Sequence, residues 1–199
     1  MSIFFNEGDF SAFKQVLTEQ FIFTYPLPSK LTNIDLNKIQ NHVLSFYKED
    51  NRIKHPKYWY RHNYHKINYH QHIGWLTEFL SDHYAVSFNK KPILLQRDGG
   101  VTALIQQKNE SINSHNHIDP YDYNNSPDLT VLYTVSDTDE KKPTYIVFEY
   151  ENGRNRHCRW KLPLKKNHFI FFSSTLNHYI TKNTNDDLLI NLCFNFELV

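Results

Sequence analysis

Apolar side chains recur at helical spacing through the first ninety residues. The stretch DFSAFKQVLTEQF begins at Asp9, a residue type that often caps a helix, and predicts a first helix. A proline-bearing break, TYPLPSKL, follows it. The stretches NIDLNKIQNHVLSFYKE and NYHQHIGWLTEFLSDHY then repeat the helical pattern. We therefore predict a mainly helical first part of the chain, over residues 1–90.

Short apolar runs that are typical of β-strands replace the helical period from about residue 93. Turn residues separate the runs, and Asn152-Gly153 between two of them is a strong hairpin signal. The runs are PILLQ, VTALIQQ, LTVLYTVS, TYIVFEYE, RHCRWKLPL, HFIFFSS and DLLINLCFNFELV. Helices followed by many strands predict a β-barrel or sandwich with the helices packed outside. We expect one domain over residues 1–199, while a boundary near residue 90 stays open.

Composition narrows the classes of protein that this chain can represent. Of its 199 residues 40% are hydrophobic and 16% aromatic, which is typical of a globular protein. A net charge of +1 gives no electrostatic signal for nucleic acid or membrane, and two cysteines exclude a cysteine-based zinc ribbon. There is neither a basic leader nor an apolar run of about 20 residues. We expect a soluble, cytoplasmic protein, and the sequence does not predict its oligomeric state.

Candidate chemistry is concentrated in the stretch SHNHIDPYDY. In an extended segment, residues two apart point to the same side, so His117 and Asp119 can converge on one ion while Ile118 faces away. His115 lies on the same side for the same reason and is the alternative ligand if the register is shifted.

A third candidate ligand, His178, follows the predicted strand FIFF and a short turn. Two histidines and one carboxylate on one face of an ion form the facial triad of non-haem Fe(II) oxygenases. A capping Asp119 and a turn His178 at unrelated places would have the same spacing. Both interpretations remain open from spacing alone.

The segments HID, LTVLYTVS and KLPLKKNHFIFFSSTLNHYITKNTNDDLLINLCFNF together resemble the Fe(II)/2-oxoglutarate-dependent oxygenases, and most closely their small prolyl-hydroxylase-like group. The likeness covers roughly residues 94–199. It implies a double-stranded β-helix, the jelly-roll of cupin-like proteins, over residues 91–199, braced by the helices before it. It also implies Fe(II) and 2-oxoglutarate as cofactors, O2 as co-reactant, and hydroxylation of a small molecule or an amino-acid side chain, in a peptide or free.

The resemblance assigns roles to individual residues. His117, Asp119 and His178 take the positions of the metal ligands. Tyr133 stands where such enzymes often place a tyrosine that reaches the distal carboxylate of the cosubstrate.

The last strand departs from the family pattern. The family usually has an Arg about ten residues after the distal His, with Ser or Thr two positions later, and Leu189 and Asn191 stand there instead. A buried carboxylate without a cation costs several kcal/mol, in rough terms. Arg159 or Lys161, two apart on the predicted strand RHCRWKLPL, is our first candidate for the compensating cation. A different oxo acid, a different binding mode, or a fold that has lost cosubstrate binding would also account for the missing Arg.

Two further functions therefore stay open beside the oxygenase. One is a metal-binding cupin-like protein without 2-oxoglutarate activity, and the second is a non-catalytic binding module on the same fold. Succinate formation that depends on Fe(II) would distinguish the oxygenase from both, and metal content would distinguish the two alternatives from each other.

Overall fold

The computed structural model of the protein describes residues 11–15, 20–28, 36–52, 64–66, 71–88, 90–95, 101–151 and 157–199. Its helices are α1 (Leu36–Arg52) and α2 (Gln71–Phe88). Its strands are β1 (Ser11–Gln15), β2 (Gln20–Pro26), β3 (Tyr64–Lys66), β4 (Pro92–Leu94), β5 (Val101–Gln106), β6 (Ile112–His115), β7 (Leu129–Thr134), β8 (Tyr145–Glu151), β9 (His157–Pro163), β10 (His168–Ser173), β11 (Asn177–Ile180) and β12 (Leu189–Leu198).

The described strands form two antiparallel sheets. The large sheet has the order β1-β2-β10-β7-β12-β5-β3, with β4 also paired to β12. The small sheet has the order β6-β11-β8-β9. From β5 onward the chain passes repeatedly between the sheets, so β5, β7, β10 and β12 lie in one and β6, β8, β9 and β11 in the other. The protein is thus mainly β, as predicted, and its described residues include two of the three predicted helices.

The large sheet buries apolar side chains on both of its faces. Along β7, Val131 and Tyr133 pack with residues of both helices, such as Leu76, in what we call the helix-side core. The alternate residue Leu132 packs with Phe148 of the small sheet, in what we call the inter-sheet core. Because successive residues of a strand face opposite sides, β7 contributes to both cores and is buried along its whole length. The inter-sheet core lies directly beneath the site described below.

The N-terminal segment differs from the helix predicted for it. Its described part forms β1 and β2, which pair with each other, and β2 also pairs with β10 at the edge of the large sheet. Ile22 joins the inter-sheet core while Phe23 packs against the helix-side core. This two-residue alternation of aromatic and β-branched side chains fits a pleated strand, and pairing with β10 outweighs a weak helical preference. Asp9 lies outside the described residues.

The remaining predicted elements are mostly confirmed. Both further helices are present as α1 and α2, and all seven predicted strands are present as β4, β5, β7, β8, β9, β10 and β12. Asn152-Gly153 lies outside the described residues, although β8 and β9 on either side of it are paired antiparallel. Within the part of the chain that the structure describes, no helix is both long and apolar enough to cross a membrane.

Candidate metal centre

Three histidines converge at one end of the small sheet. His115 ends β6, His117 follows two residues later, and His178 lies on β11. One potential ligand atom from each ring lies within 4.8 Å of the other two. The ring centroids of His115 and His178 are 4.4 Å apart, and His117 is 5.2 Å from each of them. Three imidazole nitrogens this close together form a candidate site for one divalent ion.

A local irregularity of the β6–β11 pair brings His115 and His178 together. His178 lies opposite His115, whereas Ile180 lies opposite Ile112, so three residue steps on β6 match two on β11. An extra residue of this kind is a β-bulge, which re-aims the side chains beside it. His115 therefore faces His178 although it is an odd number of residues from the buried Ile112.

Backbone carbonyls fix the tautomers of two of the three rings. Nδ1 of His178 lies 2.9 Å from the carbonyl oxygen of Leu176, and Nδ1 of His115 lies 2.8 Å from that of Asn113. A carbonyl oxygen can only accept a hydrogen bond, so each Nδ1 carries the proton and each neutral ring keeps its lone pair on Nε2. This is the arrangement that metal-binding histidines usually have.

His117 supplies the third nitrogen. Its backbone N–H donates to the carbonyl oxygen of Ser174 at 2.9 Å, which ties the segment after β6 to the end of β10. Its Nε2 is buried and has no hydrogen-bond partner. Leaving a buried polar atom unpaired costs about 1–3 kcal/mol, and a bound cation would remove that cost. The three residues therefore fit a metal ion.

Burial keeps the three imidazoles neutral. It lowers the pKa of His178 to about 3, with His115 adding to the effect and the Leu176 carbonyl opposing it. Burial and the two neighbouring rings hold the pKa of His117 well below its usual value. The pKa of His115 is lowered as well, again by burial. Neutral imidazole is the form that binds a metal, so no proton has to be displaced at neutral pH.

Aromatic rings form the wall behind this centre. The ring of Phe172 lies 4.7 Å from that of His178 and 6.3 Å from that of His117, measured between centroids. Phe148 lies 6.0 Å from His178 on the same side. Both phenylalanines are fully buried members of the inter-sheet core. They exclude water from the inner side of the centre, which strengthens electrostatic interactions there.

Asp119 does not join the three histidines in the structure. Its side chain is exposed, and Oδ1 accepts a hydrogen bond from the backbone N–H of Tyr121 at 2.9 Å. Its own N–H donates to Ser126 Oγ. The expectation for Asp119 assumed an extended segment, but β6 ends at His115 and Asp119 opens a turn instead. His115, the alternative candidate, lies beside His117 and His178 instead.

Tyr133 also differs from its expected placement. It faces the helix-side core, stacks on Phe169 at 4.4 Å and donates through its hydroxyl to Asn167 Oδ1 at 3.2 Å. Burial raises the pKa of this hydroxyl. A side chain on that face of β7 points away from the space between the two sheets.

Arg159 and Lys161 lie on the outer face of the small sheet. Both are exposed, and Arg159 Nε donates to Glu149 Oε1 at 3.1 Å. The alternate residues Trp160 and Leu162 of β9 face the inter-sheet core. Alternation along the strand therefore directs both cations into solvent. We expected one of them to reach the interior, and neither does.

Leu189 and Asn191 do face the space between the sheets. Leu189 belongs to the inter-sheet core, and Asn191 lies two residues further along the same face of β12. Asn191 Oδ1 accepts a hydrogen bond from Thr134 Oγ1 at 2.8 Å, while its Nδ2 is buried without a partner. The position expected to carry a cation is thus occupied by a leucine.

Gln106 and Thr144 were not predicted from the sequence, although their side chains also carry buried polar atoms without a partner. A glutamine at the end of an otherwise apolar strand, VTALIQ, is the signal that could have identified Gln106. His115 and His117 lie two residues apart in SHNH, and this spacing could likewise have identified His115 as the preferred candidate.

Comparisons with known proteins give the fold. No family model and no curated protein match this chain. Among solved structures it is similar to the non-heme alpha ketoglutarate dependent carbocyclase SnoK from nogalamycin biosynthesis, with a TM-score of 0.58, 9% identity and coverage of 87% of this chain and 78% of that one. It is also similar to AviO1 from Streptomyces viridochromogenes, with a TM-score of 0.58, 11% identity and coverage of 88% of this chain and 89% of that one. A third similar structure is a Pseudomonas putida prolyl-4-hydroxylase, with a TM-score of 0.53, 6% identity and coverage of 88% of this chain and 91% of that one.

These likenesses extend over most of each chain, at sequence identities that carry no residue-level information. The protein therefore shares the fold of solved 2-oxoglutarate–Fe(II) oxygenases. One of the similar structures, the epimerase SnoN, is described in complex with Fe3+ and alpha ketoglutarate.

Proposed function

We propose that this protein is a non-haem Fe(II)-dependent oxygenase built on a double-stranded β-helix, with His115, His117 and His178 as its metal ligands and a 2-oxo acid as its cosubstrate. The observation that carries the proposal is the convergence of three neutral imidazoles, one with an orphaned Nε2, in a fold shared with alpha ketoglutarate dependent enzymes. The alternation of β5 to β12 between the two sheets supports the jelly-roll assignment.

The ligand set leaves room for chemistry at the metal. Three ligands on one face of a six-coordinate ion leave three positions open, enough for a bidentate 2-oxo acid and O2. Bound Fe(II) would supply the activation of O2 that hydroxylation of a substrate needs. The chain's own contribution is to orient the rings of His178 and His115 through backbone carbonyls and to exclude water with Phe148 and Phe172.

The substrate that we propose is a small molecule or an amino-acid side chain, as the resemblance implies. This chain shares the fold of both SnoK and the prolyl-4-hydroxylase. SnoK is named as a carbocyclase of nogalamycin biosynthesis, and the second enzyme is named for hydroxylation of prolyl residues. 2-Oxoglutarate is the first candidate for the cosubstrate on the same ground. Its oxo-acid end fits the open positions of the metal, but its distal carboxylate finds no buried cation among the residues whose side chains the structure describes.

That mismatch favours a second candidate function. A metal-binding cupin-like protein that uses no 2-oxo acid needs the three histidines but no cationic anchor. Three imidazoles also suit Zn²⁺ and other divalent ions of the first transition row.

The two candidates differ in what they consume. We would load the protein with Fe(II) without O2, measure the bound metal, then admit air and follow CO2 release from a panel of 2-oxo acids. The oxygenase binds one Fe(II) per chain and releases CO2 from a 2-oxo acid, and His178→Ala does neither. Stoichiometric metal with no CO2 from any 2-oxo acid would favour the cupin-like function instead.

A further inference from the structure

Among the residues whose side chains the structure describes, none of the buried ones carries a permanent charge. The buried polar residues are Gln106, Thr130, Thr134, Ser136, Thr144, Ser174, His178, Asn183 and Asn191. Every Lys and Arg whose side chain the structure describes is exposed except the half-buried Lys166, which pairs with Asp137 at 2.7 Å. None of these cations therefore enters the interior.

The interior face of β12 carries uncharged side chains. Leu189 and Cys193 belong to the inter-sheet core, and Asn191 lies between them on the same face. Leu104 lies opposite Asn191 on β5, and Leu132 belongs to the same core. A carboxylate in such surroundings would lose its hydration without gaining an opposite charge, which disfavours its burial.

The interior offers neutral hydrogen-bonding atoms instead. Gln106 Nε2 donates to the carbonyl oxygens of Glu110 and Thr181, at 2.9 and 3.1 Å, which fixes the orientation of the amide and leaves Oε1 without a partner. Asn191 Nδ2 is the matching orphaned donor. Both side chains are fully buried.

Strand pairing places these two groups on the same face. Gln106 lies opposite Leu189 in the β5–β12 pair, two positions before Asn191, and Leu104 and Leu189 show that this face points between the sheets. A third orphaned atom, Thr144 Oγ1, lies immediately before β8 of the small sheet. An acceptor and a donor together complement an amide or hydroxyl group, whereas an ionised carboxylate can only accept.

We propose that the cosubstrate of this centre is a 2-oxo acid with an uncharged tail, held between the sheets by Asn191 and Gln106, and that 2-oxoglutarate binds more weakly. The inference rests on the proposed function, since the oxo-acid end of the molecule sits on the metal. It changes the tail group expected at the far end of the cosubstrate. Leu189 and Asn191 are uncharged, and they stand where the family has an Arg and a hydroxyl that bind a carboxylate.

Binding to the Mn(II)-loaded protein tests this inference without turnover. We would titrate 2-oxoglutarate, its 5-amide and 2-oxopentanoate calorimetrically. The three share a carbon chain and differ only in the tail group. We expect the 5-amide to bind at least about ten-fold more tightly than 2-oxoglutarate, a difference of about 1.4 kcal/mol. 2-Oxopentanoate should lie between them, since its tail is neutral but makes no hydrogen bond.

Two variants add a reciprocal test. Asn191→Leu removes the donor and should reduce the preference for the 5-amide over 2-oxopentanoate to within about two-fold, a difference of a few tenths of a kcal/mol. Leu189→Arg restores a cation and should reverse the preference in favour of 2-oxoglutarate. Circular dichroism and Mn(II) stoichiometry show whether each variant has kept its fold, and the titrations of the parent protein decide the matter where one has not.

The outcomes separate this inference from the proposed function. Equal or tighter binding of 2-oxoglutarate by the parent protein overturns the inference and leaves the oxygenase proposal standing. Failure of all three acids to bind a protein that holds Mn(II) overturns both, and leaves the metal-binding cupin-like function.

Discussion

At the scale of residues, the main evidence for a metal site is one atom, Nε2 of His117. It is buried without a partner beside two rings whose own protons are held on Nδ1 by backbone carbonyls. One potential ligand atom from each of the three rings lies within 4.8 Å of the other two. This arrangement is what a divalent cation requires.

The first prediction distinguishes the two possible third ligands. His115→Ala removes a ring from the cluster and should weaken binding of Mn(II) by more than about ten-fold, because even the outer partners of metal ligands are worth about 10–100-fold. Asp119→Ala changes only an exposed turn and should bind Mn(II) as the parent does. The measurement is a Mn(II) titration of the three proteins side by side. The opposite pattern would restore Asp119 as the ligand and remove His115.

How far the sequence predicted the site depends on the residue. Spacing and resemblance together singled out His117 and His178, which the structure brings together. The i, i+2 rule could not reveal the bulge in β6 or the turn at Asp119, because both depend on pairing with distant strands. The outward direction of Arg159 was predictable, since Trp160 and Leu162 already alternate with it in the sequence.

Tyr133 illustrates a limit of a different kind. When every residue of a strand is buried, as in β7, the apolar pattern does not reveal which face meets the helices and which meets the other sheet. Only the packed structure assigns Tyr133 to the helix-side core.

At the scale of elements, two strands of the region after residue 100 are missing from the predicted set, namely β6 and β11, which carry His115 and His178. Their sequences, INSH and NHYI, are short and polar, and so give no apolar run to detect. His115 and His178 occupy positions of these strands that an apolar side chain would otherwise fill. The structural strands around them were predicted because burial dictates their composition.

The second prediction concerns the connection between β11 and β12. Asn183 is fully buried, and its Nδ2 donates to the carbonyl oxygens of Gln106 and Asp187, at 3.1 and 2.8 Å, while Oδ1 accepts from the backbone N–H of Asn185. Asn183→Ala leaves these backbone groups without their partner. It should lower the free energy of unfolding by about 2–4 kcal/mol.

Urea denaturation followed by circular dichroism would measure this change. Lys182→Ala alters the exposed neighbouring residue and serves as the matched control, with an expected change within about 0.5 kcal/mol. An equal effect of the two substitutions would mean that the hydrogen bonds of Asn183 do not hold the connection in place.

At the scale of the whole molecule, the helices and the small sheet cover opposite faces of the large sheet. The third prediction tests the helical side. Leu76 of α2 is fully buried in the helix-side core, so Leu76→Ala should destabilise the protein by about 2–5 kcal/mol through lost burial and the cavity left behind.

The exposed Glu78, on the same helix, provides the control Glu78→Ala, for which a change within about 0.5 kcal/mol is expected. Thermal and urea denaturation would compare the two variants. A folded Leu76→Ala protein should keep the Mn(II) affinity of the parent, because the metal centre adjoins the inter-sheet core. Loss of metal binding in a stably folded variant would contradict this separation of the two cores.

The bulged pairing of His115 with His178 has a mechanical consequence. An ion bound by both would act as a clasp across neighbouring strands, so that β6 could not peel away from β11 without breaking a coordination bond. Backbone amides of β6 should then exchange their hydrogens with solvent more slowly once Mn(II) is added, while those of β1, at the edge of the large sheet, should keep their rate. Hydrogen–deuterium exchange with mass spectrometry, with and without metal, would detect it. A small sheet that opens equally fast in both states would mean that the ion rests on one strand alone.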